Sequence, residues 1–197
     1  MRKKKHFTGF ILAVAIALGV LAVGCIFLFV RRGKHSNVEI PLNRLSEDGE
    51  YKFEGLEWGI SPEEAARHLP YAIELDEYRN DYEGPAGTTF YKAEDGLVLN
   101  GQSAVVTFEF QDSELAIVKF DFHFHQDEEQ GYEQWFETVS AEMLRLYGEE
   151  SRSFENANDR FQSKGYIWET EQTMLQIVWM TGESIYPGIM IGVGRKP

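Results

Sequence analysis

Apolar and polar residues alternate over several stretches in the second half of the chain. Ala104, Val106, Phe108 and Phe110 are spaced two residues apart, with Thr107 and Glu109 among the residues between them. A period of two places successive side chains on opposite faces of a strand, so this pattern is typical of a half-buried antiparallel strand. Alternation and a β-favouring composition predict strands over 88–93, 97–99, 104–111, 115–125, 161–170, 173–180 and 185–193.

Two other segments have the signals of amphipathic helices. Ser61 is followed by Pro62 and, three residues after the serine, by Glu64, which together form a helix start with a capping box. This helix should end at Leu69, because the proline at position 70 disfavours helical geometry in the residue before it. A longer helix is predicted over 129–147, where apolar residues recur every three or four positions and Gly148 follows as a stop.

The order of these elements predicts the fold class. Strands that follow one another through short turns form antiparallel sheets, and two amphipathic helices can cover one face of such a sheet. The sequence therefore predicts an α+β domain in the order helix, strands, helix, strands, preceded by a single transmembrane helix.

That transmembrane helix is predicted over residues 7–30, which contain no charged residue. Twenty-four residues at about 1.5 Å each span roughly 36 Å, enough to cross a bilayer. The segment LAVGC, ending at Cys25, can also be interpreted as the cleavage site of a bacterial lipoprotein. Because five more apolar residues follow Cys25, where a polar tether is expected, an uncleaved signal-anchor is the favoured interpretation.

Flanking charge and composition predict the domain organisation. Residues 1–6 form a basic cytoplasmic N-terminus, and 7–30 hold the chain in the lipid bilayer. Residues 31–50 are polar and form a linker. Residues 51–197 form one extracytoplasmic domain, so the protein is expected to be a single-pass protein of the cell membrane.

The predicted domain is strongly acidic. Residues 1–50 hold 8 of the 19 Lys and Arg and 4 of the 32 Asp and Glu, so residues 51–197 hold 11 against 28, a net charge of −17. Such a surface repels the phosphates of nucleic acids, and a nucleic-acid partner is not expected.

The segment FEGLEWGISPEEAARHLP, residues 53–70, resembles the opening of small extracytoplasmic domains grouped with the β-lactamase inhibitor protein and the small-protein-A-like envelope lipoproteins. The later Leu146-Tyr147-Gly148, followed by Trp168, is similar to the second helix-and-sheet unit of the tandem members. The resemblance covers about residues 53–193. It implies a binding or scaffolding domain without catalytic residues, so no site residue is carried over from it.

The sequence contains no Cys-x-x-Cys, no His-Glu-x-x-His and no glycine-rich phosphate loop, so neither an enzyme nor a cofactor is predicted. One arrangement leaves an alternative open. The period of two places Asp121, His123 and His125 on one face of a strand, and imidazoles two residues apart can share a metal ion. This face is therefore the weak candidate for a metal-dependent receptor or enzyme.

The favoured hypothesis is a non-catalytic binding or scaffolding module of the bacterial cell envelope, with a protein or an envelope component as its partner. The helices should cover one face of the sheet, which leaves the other face available. The predicted contact residues on that face are Thr107, Glu109, Lys119, Asp121, His123 and His125.

Overall fold

The computed structural model describes residues 38–69, 75–78, 86–93, 97–123, 129–158, 160–183 and 185–196. These residues form twelve β-strands, two α-helices and one 3₁₀-helix. The helices are α1 (Pro62–His68), α2 (Glu129–Tyr147) and the 3₁₀-helix (Leu42–Leu45). The strands are β1 (Val38–Ile40), β2 (Ser46–Glu47), β3 (Glu50–Tyr51), β4 (Leu75–Tyr78), β5 (Thr88–Ala93), β6 (Leu97–Leu99), β7 (Gln102–Gln111), β8 (Glu114–His123), β9 (Arg152–Ala157), β10 (Phe161–Glu169), β11 (Thr173–Gly182) and β12 (Ile185–Arg195).

Ten of these strands belong to one sheet. Eight of them follow one another in the order β1-β6-β7-β8-β12-β11-β10-β9, and β4 and β5 lie off this path. β7 is long enough to have two partners on the same side: its first residues pair with β6 and its last residues with β5, which in turn pairs with β4. β1 and β6 run parallel, and the other pairs of this sheet are antiparallel. β2 and β3 form a separate hairpin.

The inner face of the sheet carries the core. Residues directly opposite each other on antiparallel strands share a face. Val118 of β8 lies opposite Phe108 of β7 and opposite Val193 of β12, which continues to Leu175 of β11. These four residues are fully buried, as the alternation along their strands predicts.

α2 covers the part of the inner face formed by β10, β11 and β12. Its buried residues recur at three and four positions and include Tyr132, Phe136, Val139 and Met143. The bounds predicted for this helix are confirmed. Gly148 follows it with φ of +82° and donates its backbone N–H to Leu144 O at 2.9 Å, which confirms the predicted C-terminal stop.

The other part of the inner face is covered mainly by a segment that the sequence predicts as linker. Ile40, Leu42 and Leu45 are buried in the core, together with Phe53, whose ring packs edge-on against Phe108 and Phe120. The Tyr147 hydroxyl at the end of α2 donates to Leu42 O. The folded domain thus begins at Val38 among the described residues, upstream of the boundary predicted at residue 51.

α1 forms as the sequence predicts. The Ser61 side chain accepts from the Glu64 N–H, the Glu64 carboxylate accepts from the Ser61 N–H, and Pro62 occupies the first turn. The helix has only seven residues, however, and Ala65 is its only buried residue. It therefore supplies little of the cover that the sequence assigns to it.

The predicted fold class is wrong. The described residues are mostly β-strand, with only two α-helices, and the element order opens with β1, the 3₁₀-helix and the β2–β3 hairpin rather than with a helix. The sheet has more strands than predicted. β1, β4 and β9 have no strong apolar alternation, but they pair with neighbouring strands that have it.

The prediction of a transmembrane helix in a single-pass membrane protein is also corrected. Within the ranges that the structure describes, no helix is long and apolar enough to cross a bilayer. α2, the longer of the two, has charged residues along its length, Glu133, Glu137, Glu142 and Arg145 among them. This finding contradicts the predicted location in the cell membrane. The predicted anchor, residues 7–30, lies outside the described residues.

Candidate binding face

The outer face of the sheet, opposite the core, has no helix or strand packed over it among the described residues. Its central part is formed by alternate residues of β7, β8, β12 and β11, which the strand register places side by side. These residues are Val105, Thr107, Glu109, Ile117, Lys119, Asp121, His123, Gly188, Met190, Gly192, Gly194, Met174, Gln176, Val178 and Met180.

Five of the six predicted contact residues lie on this outer face. Thr107 lies opposite Lys119, Asp121 lies opposite Val105, and His123 projects from the end of β8. Glu109 is on the same face, two residues beyond Thr107. His125 lies outside the described residues.

Glu109 and Lys119 form an ion pair across the β7–β8 ladder. The side chains of Lys119 and Glu109 are 31% and 14% exposed, so the pair is half-buried in the face rather than extended into solvent. Thr107, next to this pair, is buried. The charged centre of the outer face is therefore held in a fixed arrangement.

Asp121 is in a different environment. It lies between Val105 on β7 and Met190 on β12, and it is only partly exposed. Burial raises the pKa of Asp121 above its usual range, and the nearby positive charges of His123 and Lys119 offset only part of this effect. A carboxyl group with a raised pKa beside apolar neighbours is typical of a site that excludes water.

β12 has few side chains on the outer face, because three of its four outward positions opposite β8 are glycine. Gly192 lies between Lys119 of β8 and Gln176 of β11. The Gln176 side chain folds toward the space above it, since a Cβ at position 192 would lie 3.1 Å from Gln176 Nε2. Met190 Sδ lies 3.2 Å from the same Cβ position, so the side chains of Gln176 and Met190 cover Gly192.

Three methionines lie along this part of the outer face. Met174, Met180 and Met190, three of the five methionines in the sequence, are on the outer face and partly exposed. Methionine is flexible and polarizable, and it is enriched on surfaces that adapt to a partner. The outer face therefore combines a strip of adaptable methionines along β11 and β12 with the fixed charges of β7 and β8.

A cleft of about 510 Å³ opens where the outer face meets the end of β12. Ala116 and Ile117 form its apolar wall, and its polar rim is held by internal bonds. Arg195 pairs with Glu114 at 3.1 Å, and Gln111 donates to Ala86 O at 2.8 Å. The cleft is lined by Thr88, Glu109, Gln111, Ala116, Ile117, Arg195 and Lys196.

Of the residues around the cleft, the sequence singles out Glu109 alone. Arg195 and Lys196 follow the last strand and have no motif around them. They line the same cleft as Glu109 because Gly194 of β12 is in register with Ile117 of β8. The sequence does contain one sign of this site: Gly188, Gly192 and Gly194 are separated by even numbers of residues, so they share one face of β12 and leave it with few side chains.

In the described part of the chain, the structure adds no further ligands to the predicted metal site. There, no group of three or more His, Cys, Asp or Glu side chains is placed to hold a metal ion. His123 is exposed at the end of β8, while His125 is outside the described ranges.

Comparison of the chain with protein-family models, with curated proteins and with solved structures finds no match to any of them. The fold and the face described above therefore stand on their own geometry.

Proposed function

We propose that this protein is a non-catalytic binding module that contacts a protein partner through the outer face of its sheet. The observation that supports this most is the composition of that face. A strip of partly exposed methionines lies on the same face as a cleft of about 510 Å³, and no described helix or strand packs over either of them. Ligand sites are typically concave, mostly apolar and provided with a few fixed polar groups.

The cleft has the size and lining to accept an apolar side chain of the partner. Its volume lies within the range of about 300–1,000 Å³ that is common for binding sites. Ile117 offers the apolar contact, while Glu109 and Arg195 at the rim can orient polar groups. Buried apolar anchors surrounded by polar residues account for most of the binding energy at protein interfaces.

The decisive experiment uses the whole chain as bait and a pair of variants. Ile117→Thr combined with His123→Ala changes two side chains of the outer face while preserving the β-branched shape at position 117. We expect this double variant to bind a captured partner at least tenfold more weakly, because tenfold corresponds to only about 1.4 kcal/mol. Thr138→Ala with Glu149→Gln is the matched control, since both residues are exposed and lie away from the outer face.

Equal melting temperatures of the three proteins would show that the sheet is intact in each of them. If the partner binds the outer-face variant as tightly as the wild type, or if the control variant loses binding instead, the outer face is not the contact surface.

A further inference from the structure

A second surface that can bind a partner is the edge of the sheet formed by β9. Among the described residues this strand pairs with β10 alone, and five of its six residues are exposed. It contains no proline, and its register with β10 is regular from Arg152 to Ala157. An exposed, regular edge strand is a template for pairing with another chain.

The alternation of hydrogen-bonded pairs between β9 and β10 shows which backbone groups of β9 do not bond to β10. Asn158 donates its N–H to Phe161 O at 2.9 Å, so these two residues form a hydrogen-bonded pair at the hairpin end. Hydrogen-bonded and non-hydrogen-bonded pairs alternate along an antiparallel ladder. The N–H and C=O groups of Ser153, Glu155 and Ala157 therefore point away from β10 and toward the open edge.

The strand is held firmly in place by its neighbour. Gly165 of β10 lies opposite Phe154, and a Cβ at position 165 would lie 2.9 Å from the Phe154 ring. The ring thus covers the glycine on the outer face and packs β9 against its own sheet. Because the edge is preformed, an incoming strand does not need to order it.

On the α2 side of the edge, Ser153 lies opposite Tyr166 and Glu155 lies opposite Lys164. These four residues, together with Phe154 and Gly165, line a cavity of about 260 Å³. A side chain from an added strand can enter this cavity above Ser153. The Tyr166 ring, stacked on Phe136 of α2, forms an apolar wall.

The charge beside this cavity is negative. Lys164 is bonded to Glu137 of α2 at 2.6 Å and lies 3.4 Å from Glu133, which together outweigh the effect of burial and raise the pKa of this lysine. Its charge is therefore engaged by the helix. Glu155 makes no ion pair with any residue that the structure describes, and three carboxylates surround a single ammonium group.

We infer that β9 accepts an extended segment of another protein as an added strand, with a lysine or arginine opposite Glu155 and an apolar residue in the cavity above Ser153. Main-chain hydrogen bonds supply the affinity in this mode of recognition, and alternate side chains supply the specificity. A cross-strand pair of opposite charges favours the basic residue. A second copy of this chain fits less well, because pairing centred on residue 155 sets Glu155 against Glu155.

The test is selection of a random dodecapeptide library on the immobilised whole chain, followed by binding measurements with the selected peptides. We expect peptides that alternate apolar and polar residues around a lysine or arginine. Binding should protect the amides of Ser153, Glu155 and Ala157 from hydrogen exchange. Ser153→Pro, which removes an outward N–H but no bond to β10, should weaken binding at least tenfold.

The charge requirement is tested independently, so that the proposal does not depend on the folding of the proline variant. Glu155→Lys should lose the selected peptides and bind versions in which the basic residue is replaced by glutamate. Glu171→Lys, the same charge change on an exposed turn, should leave binding unchanged. Peptides insensitive to Glu155→Lys, protection elsewhere than on β9, or no selected pattern would overturn the proposal. Self-association that Ser153→Pro abolishes would assign the edge to a second copy instead.

Discussion

At the scale of single residues, two carboxylates lie in opposite environments. Glu50 accepts hydrogen bonds from the hydroxyls of Thr170 and Thr173, both at 2.6 Å, and these bonds lower the pKa of Glu50. Burial raises the pKa of Asp121. Glu50 therefore stabilises the fold in its ionised form, whereas the folded state favours the neutral form of Asp121.

Replacing Thr173 with valine should destabilise the protein. Thr173 Oγ1 is the acceptor for the Tyr51 N–H at 2.9 Å and a donor to Glu50, so it fastens β3 to the start of β11. Leaving a buried N–H without a partner costs about 1–3 kcal/mol. Because the Tyr51 N–H is only part-buried, urea unfolding at neutral pH should show a loss at the lower end of this range.

The pH dependence of the stability lost in Thr173→Val shows how much of that loss comes from the hydrogen bond to Glu50. A carboxylate with a lowered pKa contributes stability above its usual pKa, and this contribution is lost as the pH falls through the lowered value. The difference between wild type and Thr173→Val should therefore narrow in acid. A difference that is constant down to strongly acidic pH would contradict a role for Glu50.

Asp121→Asn should have the opposite effect. Because burial raises the pKa of Asp121, the folded state binds a proton more readily than the unfolded state, and stability falls as the pH rises between the two pKa values. The amide removes this penalty, so thermal melts should show the variant to be more stable at neutral pH. The gain should vanish below the usual pKa of aspartate; a variant less stable at pH 7 would refute the interpretation.

At the scale of elements, two glycines at α2 differ in backbone conformation. Gly131 lies within the helix and Gly148 follows it with φ of +82°, and a Cβ would meet nothing within 4 Å at either position. Gly131→Ala should stabilise the protein by about 0.5–1 kcal/mol, because alanine loses less conformational entropy in a helix. Gly148→Ala should destabilise it by about 1–2 kcal/mol, because of the left-handed backbone.

Chemical denaturation of both variants measures these energies in the same helix. Two shifts of equal sign would mean that packing, and not backbone conformation, governs one of the positions.

The sequence predicts best the elements whose own side chains form the core. β7, β8 and α2 have strict periods of two or of three to four, and the structure confirms these elements. β9, with the sequence RSFENA, has no such period because it lies at an exposed edge. β1 depends on a parallel partner far along the chain, so nothing in its own three residues predicts it.

The same reasoning explains what could be predicted of the outer face. The alternation that places Phe108 and Phe120 in the core also places Glu109, Lys119 and Asp121 on the opposite side. The cleft was beyond prediction because its rim joins β7 and β8 to Arg195 and Lys196. That neighbourhood follows from which strands pair, and a local pattern does not contain this information.

At the scale of the whole molecule, the segment from Val38 to residue 50 should be required for folding. It buries Ile40, Leu42 and Leu45, and burial of each such side chain contributes about 1.5–3 kcal/mol. Their sum is comparable to the total stability of a typical domain. A fragment of residues 37–197 should therefore melt cooperatively, whereas a fragment of residues 51–197 should not.

Circular dichroism and calorimetry of the two fragments provide the measurement. Equal cooperative melts would show that the segment is an accessory to a core that is complete without it.

The central position of β12 has a consequence for how the protein is made. β12 is the last of the twelve strands in the described residues, yet it lies between β8 and β11 and joins the two parts of the sheet. While the ribosome is still adding residues 185–195, both neighbours have open edges and the apolar inner face is incomplete. Unpaired edges and exposed apolar surface make such intermediates prone to aggregation. The sheet is therefore completed only once residues 185–195 have been synthesised, and a nascent chain halted before β12 should be a substrate for chaperones.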